Sequence, residues 1–270
     1  MSGHLYEDLG GGRFAPSRLT RTGWNDTDQH GGPPSALLAR AVERTDLPAP
    51  MRPARISFHL LRGIPIAPLR VSTEVSRPGK RVAVIDGRLT TDDGTLVATA
   101  HAQMIRTEPV SVPGDLPWPA DRLPGPPESH PPAVMAPAES GWSDDTMQRF
   151  HLHAVTVRSI DGGWEVQGPG AAWIHLDVDL VDGEDTSPLC RFVTVADMAN
   201  GVASTLPYGQ YRWVNPDLTV ALHRPPGGDW VGLSAGASVG PDGIGVVQGT
   251  AFDEDGAFGA VLQTQLVQVW

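Results

Sequence analysis

Apolar positions recur at helical spacing in one clear stretch of the first hundred residues. In the run Pro33 to Arg44, Leu37, Leu38, Ala41 and Val42 form a stripe, and proline is tolerated in a first helical turn. The pattern predicts a helix over 33–44. The period then shortens. Runs rich in Val, Ile and Thr predict strands at 54–62, 68–77, 80–91 and 95–106. Turn chemistry separates them at Arg77-Pro78-Gly79-Lys80 and Asp92-Asp93-Gly94. Further along, strands are predicted near 149–158 and 172–181. Ser187 then reads as a helix N-cap with Pro188 in the first turn, and helical sequence runs toward Ser204 with a break near Asp197. Strands follow at 211–223, 230–239, 243–253 and 257–269. A helix followed by consecutive antiparallel strands is an α+β pattern, a sheet wrapped around one helix.

The same order of elements occurs twice. Ile56-Ser57-Phe58-His59-Leu60-Leu61-Arg62 in the first half is echoed by Leu218-Thr219-Val220-Ala221-Leu222-His223-Arg224 in the second. Each run follows a helical segment and precedes β-rich sequence that ends near a glutamine. Such self-similarity implies a duplicated fold. Aligning the landmarks sets Gly32 of the first half against Asp197 of the second, which predicts that acid–base chemistry is concentrated in the second. Between the copies the chain turns proline-rich, at Pro113, Pro117, Pro119, Pro124, Pro126, Pro127, Pro131 and Pro132. Such sequence is predicted to form neither ladder nor helix. The expected organisation is an N-terminal unit over 1–106, a linker over 107–141 and a C-terminal unit over 142–270.

Composition narrows the function. The chain has 270 residues, 40% of them hydrophobic, and a formal charge of −11. That acidity argues against a nucleic-acid surface, although a local basic patch such as Arg77, Lys80 and Arg81 could still serve a small anion. The single cysteine, Cys190, excludes an intrachain disulfide and any cysteine-based zinc cluster. It suits a reducing, cytoplasmic location. No apolar run approaches the roughly 18 residues of a membrane span, and the first residues lack the pattern of a signal peptide. Neither cofactor nor metal is called for.

Several stretches together resemble the double-hotdog acyl-CoA thioesterases of the thioesterase II, or TesB-like, family. In the first half these are His30-Gly31-Gly32-Pro33-Pro34-Ser35, Arg55 to Arg62 and Arg77 to Arg81. In the second they are Ala196-Asp197-Met198, Asn215 to Pro225, Asp229-Trp230 and Gly259 to Gln263. The resemblance covers residues 15–106 and 170–270. It implies two antiparallel sheets, each wrapped around a central helix, and hydrolysis of an acyl-CoA or acyl-carrier-protein thioester. It also implies a homo-oligomer, most simply a dimer of double hotdogs, since sheet edges of this kind must be paired or covered. Carried over by position, the residues that hold the attacking water are Asp197, Asn215 and Gln263. Asn215 stands where that family has a hydroxyl. Thr219, four residues further along, is the second choice there, and Gln265 is the alternative to Gln263.

A thioester is an activated acyl group, so a positioned water suffices without a covalent nucleophile. A carboxylate can orient that water or take its proton, and backbone N–H groups at a helix N-terminus can stabilise the oxyanion. Gly31, Gly32 and the amides after Asp197 are the expected donors, with His30 beside the ligand. Two other readings stay open. His59, Gly63 and Pro68 match the His-x3-Gly-x4-Pro spacing of hotdog dehydratases acting on 3-hydroxyacyl thioesters, but Gly201 stands where their Asp dyad needs Gln or His. A non-catalytic acyl-thioester-binding protein would keep the same fold.

Overall fold

The computed structural model describes residues 3–113, 122–135, 147–163 and 166–269. The first half contains β1 (His4–Asp8), β2 (Arg13–Pro16), α1 (Gly32–Glu43), β3 (Met51–Leu60), β4 (Leu69–Arg77), β5 (Val82–Thr91) and β6 (Leu96–Arg106). A two-residue strand β7 (Pro132–Ala133) and a single turn α2 (Phe150–His153) lead into the second half. There follow β8 (Val155–Gly163), β9 (Val166–Leu176), β10 (Asp179–Val181), α3 (Pro188–Ala196), α4 (Ala199–Val202) and β11 (Tyr211–Val214). The chain closes with β12 (Asp217–Leu222), β13 (Trp230–Val239), β14 (Ile244–Asp253) and β15 (Gly256–Val269).

The strands form one sheet in the order β10-β1-β2-β4-β5-β6-β3-β12-β15-β14-β13-β9-β8-β7, with β11 beside β15. From β1 to β8 that order is a palindrome: β1, β2, β4, β5, β6 and β3 are answered by β12, β15, β14, β13, β9 and β8. The halves meet where β3 pairs antiparallel with β12, Ser57 opposite Thr219. The sheet is therefore continuous rather than two separate sheets. Edge strands cross over as well, because β10 of the second half pairs parallel with β1 of the first. Residues 172–181, predicted as one strand, accordingly break after Leu176.

Alternation explains where the core lies. Ala83, Ile85 and Leu89 of β5 and Ala98, Ala100, Ala102 and Met104 of β6 point to the face that α1 covers. Gly87 lets the helix approach closely, since a Cβ there would meet Leu38 Cδ2 at 3.2 Å. Within α1, Leu37, Leu38 and Val42 are buried as the stripe predicts, and Ala36 and Ala39 join them because α3 covers a second side. Burying each leucine contributes about 1.5–3 kcal/mol.

The two helices run antiparallel. Gly32 at the start of α1 abuts Thr194 near the end of α3, and Cys190 near the start of α3 reaches Ala36 and Glu43. Ser187 caps α3 through the Cys190 N–H, as the sequence predicts. Three further local predictions fail. The strand predicted over 211–223 breaks at Asn215 and Pro216, whose ring has no N–H to give a ladder, into β11 and β12. Residues 150–153, expected in a strand, form α2, a turn too short to show any periodicity. Pro132 and Ala133, expected outside any ladder, pair with β8 at the edge of the sheet, where a missing N–H is tolerated.

Candidate active site

Asp197 closes α3 as its C-terminal cap, and its carboxylate is buried. That end of a helix is unfavourable for an anion, but the antiparallel packing sets it against the N-terminus of α1, which favours one. Four donors surround it. Asn215 Nδ2 donates to Oδ1 at 2.5 Å and Gln263 Nε2 donates to the same oxygen at 3.0 Å. His30 Nδ1 stands 2.9 Å from Oδ2, and the Gly32 N–H also faces the carboxylate. Burial alone would raise the carboxyl pKa. His30 and the hydrogen bonds from His30, Asn215 and Gly32 outweigh it and hold the group below the usual carboxylate range.

Each partner arrives by a definite local cause. Asn215 lies in the short turn between β11 and β12, outside strand alternation, and Asn200 Nδ2 steadies its carbonyl at 3.1 Å. Gln263 faces inward because β14 and β15 slip register at Ala251/Phe252, which shifts the buried set from Phe258 to Val261 and Gln263. Its Nε2 also donates to the Asp197 carbonyl at 3.3 Å. Gly31 permits the close approach of Asp197 and Leu60. A Cβ at Gly31 would lie 2.8 Å from Asp197 Oδ2 and 2.8 Å from Leu60 Cδ1. At Gly32 a Cβ would lie 2.1 Å from the Thr194 carbonyl oxygen, so that glycine is needed for the helices to meet.

These groups lie at a cleft of about 310 Å³ between the halves. Trp24, Leu60 and Trp213 give it apolar walls, and the guanidinium-bearing Arg62 and Arg212 line it as well. Trp24 and Trp213 meet edge to face at 5.7 Å. The His30 ring leans on Phe150 at 4.8 Å. His151 beside it is kept neutral, its pKa pushed down to about 3 by burial first and then by His30, Arg149 and His153. At the opposite end of the helix pair, the corresponding position is filled. Glu43, the last residue of α1, accepts from Ser187 Oγ at 2.5 Å, next to a cavity of about 50 Å³.

That comparison corrects the landmark alignment. Gly32 opens α1 whereas Asp197 closes α3, so they are not equivalent positions of the repeat; antiparallel packing is what brings them together. The carboxylate that answers Asp197 is Glu43.

Two family profiles match the chain. The profile of the acyl-CoA thioesterase N-terminal domain matches residues 20–105, and that of the acyl-CoA thioesterase C-terminal domain matches 126–267. The chain belongs to the acyl-CoA thioesterase family. It is thus a thioester hydrolase. No curated protein matches this thioesterase. Among solved structures, a hot-dog-fold protein of unknown function from Alicyclobacillus acidocaldarius is similar at 18% identity and TM-score 0.71, covering 97% of this chain and 95% of that one. The tesB protein of Mycobacterium avium subs paratuberculosis is 15% identical with TM-score 0.67, covering 97% and 96%. The acyl-CoA thioesterase II TesB2 of Mycobacterium marinum is 16% identical with TM-score 0.62, covering 98% and 95%. The fold of the thioesterase is thereby the hotdog fold.

Of the residues singled out from the sequence, Asp197, Asn215, Gln263, His30, Gly31 and Gly32 come together in the thioesterase. Thr219 does not. Leu218 and Val220 take the inward positions of β12, and Thr219 donates to Ser57 Oγ across the β3–β12 seam at 3.0 Å. Gln265 is buried beside a separate small cavity with Asn200 and Thr205. His59 is exposed on β3 opposite Asp217 and lies outside the cleft. Trp24, Asn200, Trp213 and His151 were missed, because loops, one-turn helices and a four-residue strand are too short to carry a periodic signal. No helix among the described residues is long and apolar enough to cross a membrane.

Proposed function

We propose that the protein is a double hotdog that hydrolyses acyl-CoA thioesters by attack of a water positioned at the Asp197 cluster. The observation that carries this reading is the buried Asp197 carboxylate, held by Asn215, Gln263 and His30 at the cleft between the halves. The palindromic strand order with antiparallel α1 and α3 supports two hotdog units joined at β3 and β12. The acyl group lies along Trp24, Leu60 and Trp213, with Arg62 and Arg212 available to the CoA phosphates. Pro33 and Pro34 have no N–H, so the Gly31 N–H, which makes no hydrogen bond within the described residues, is the donor left for the oxyanion at the start of α1. Since Glu43 is occupied by Ser187 beside a cavity too small for substrate, each chain has one chemical site.

The test is release of free thiol from acyl-CoAs of graded chain length, with a 3-hydroxyacyl-CoA monitored for dehydration in parallel. Thiol release with saturation kinetics is the expected result. Binding without turnover across the panel would make this an acyl-thioester-binding protein, and dehydration without thiol release would make it a lyase. A homo-oligomer is also part of the reading. Ile244, Val246 and Leu262 share an exposed face of β14 and β15, which suits a second copy. Light scattering that gives the monomer mass at micromolar concentration would sink it.

A further inference from the structure

The donors around Asp197 leave its carboxylate little to do as a base. An ionised carboxylate offers about four lone-pair sites. Here Oδ1 takes Asn215 and Gln263, and Oδ2 takes His30 with the Gly32 N–H alongside. Its side chain is 5% exposed. A water would have to displace a donor to bind there. His30 is arranged differently. Its Nδ1 stands 2.9 Å from Asp197 Oδ2, and the Gly32 N–H points at the same nitrogen from 3.2 Å. A lone pair on Nδ1 would face the ionised carboxylate, whereas a proton there bridges the two groups and leaves the Gly32 N–H to Oδ2. The lone pair is then on Nε2, which has no hydrogen-bond partner among the described residues and belongs to a ring that lines the cleft.

We infer that His30, rather than Asp197, takes the proton from the attacking water, and that Asp197 is the positioning residue that sets the imidazole tautomer and orientation. This rests on the hydrolase reading above. The water oxygen bonds to the thioester carbonyl carbon while its proton passes to His30 Nε2. The carbonyl oxygen becomes an oxyanion facing the Gly31 N–H. Collapse breaks the C–S bond, and the proton on Nε2 goes to the leaving sulfur. The products are a carboxylic acid and a thiol, and His30 returns neutral. An aspartate that orients a histidine base is a general arrangement of nucleophilic catalysis. Gln263 and Asn215 then act on Asp197 itself, keeping it ionised and turned toward the ring.

The test compares the wild type with His30→Asn and His30→Ala, using the best acyl-CoA of the graded panel. The Asn side chain places an amide near the Nδ1 position, so it still donates to Asp197 but has no basic nitrogen. We expect kcat to fall by about 10²–10⁴, with KM within roughly threefold. The His30→Ala protein should regain activity with added imidazole, since its cavity adjoins the cleft. Wild-type kcat/KM should fall with acidification, because a protonated Nε2 has no lone pair, and the residual rate of His30→Asn should lack that fall. The other charged or titratable groups facing His30 are Asp197 at the end of α3, His151 on α2 with Arg149 behind it, and Asp28, Arg62 and Arg212 around the cleft. Burial keeps His151 neutral. A His30→Asn rate within fivefold of wild type would overturn the inference. So would a loss without imidazole rescue and with the acid fall unchanged, which marks a structural role. A wild type that releases no thiol from any acyl-CoA would instead overturn the hydrolase reading.

Discussion

Replacing Asp197 by Asn separates the chemistry of the site from its packing. The Asn carbonyl can still accept from Asn215 and Gln263, which now share Oδ1. Its amide then faces His30 Nδ1 and forces that nitrogen to accept, so the ring proton moves to Nε2. The Gly32 N–H, 3.2 Å from Nδ1, then competes with that amide for the single Nδ1 lone pair. What is lost is charge assistance: bonds to a charged group contribute about 1.5–3 kcal/mol against 0.5–1.5 for neutral ones. Relief from burying a carboxylate offsets part of that loss. The net destabilisation should be within about 2 kcal/mol, a fall in Tm of roughly 2–4 °C per kcal/mol for a chain of this size. Activity should fall much further, by about 10²–10⁴, because the lone pair facing the cleft is replaced by a donor. Thiol release and thermal unfolding, measured on the same preparation, check both parts. Wild-type turnover by Asp197→Asn would refute the site, and a rate loss accompanied by unfolding would refute the claim that its role is chemical.

Two further outcomes follow from the geometry. Gly31→Ala should lower kcat by about tenfold while KM changes little, because its Cβ would press on Asp197 and Leu60 and shift the reacting groups by a fraction of an ångström; unchanged kinetics would show that the close approach is not needed. Arg224→Ala should destabilise the fold by about 1.5–3 kcal/mol, measured by urea unfolding, since Arg224 donates to both oxygens of the buried Asp253 and its removal leaves that charge only the Gly227 and Asp255 N–H groups. Burial raises the Asp253 carboxyl pKa, but Arg224 and the Gly227 N–H outweigh it and depress the folded-state value. The pair therefore contributes stability above the unfolded carboxylate pKa of about 3.9, which is lost as pH falls through the lower folded value. A variant that loses as much stability on acidification as the wild type would contradict this.

Local sequence carried much of the architecture. The stripe in α1, the Ser187 cap, the break at Asp197 and the last three strands all follow from short-range rules, because periodicity and capping are set by neighbours a few residues apart. The duplicated order of elements was legible for the same reason, and the position-by-position resemblance singled out Asp197, Asn215 and Gln263 together. Three features depended on contacts far apart in the chain. The slip at Ala251/Phe252 decides that Gln263 faces inward, and it belongs to a pair of strands rather than to either one. The β1–β10 pairing joins residues of opposite halves, so nothing near Asp179 announces it. The site itself is assembled across the molecule. Asp197 and His30 are separated by most of the chain and meet because α1 and α3 pack antiparallel, one helix end against the start of the other. Sequence set which residues could do chemistry. The packing of the two halves decided that the carboxylate would be enclosed by donors and that the histidine would face the cleft.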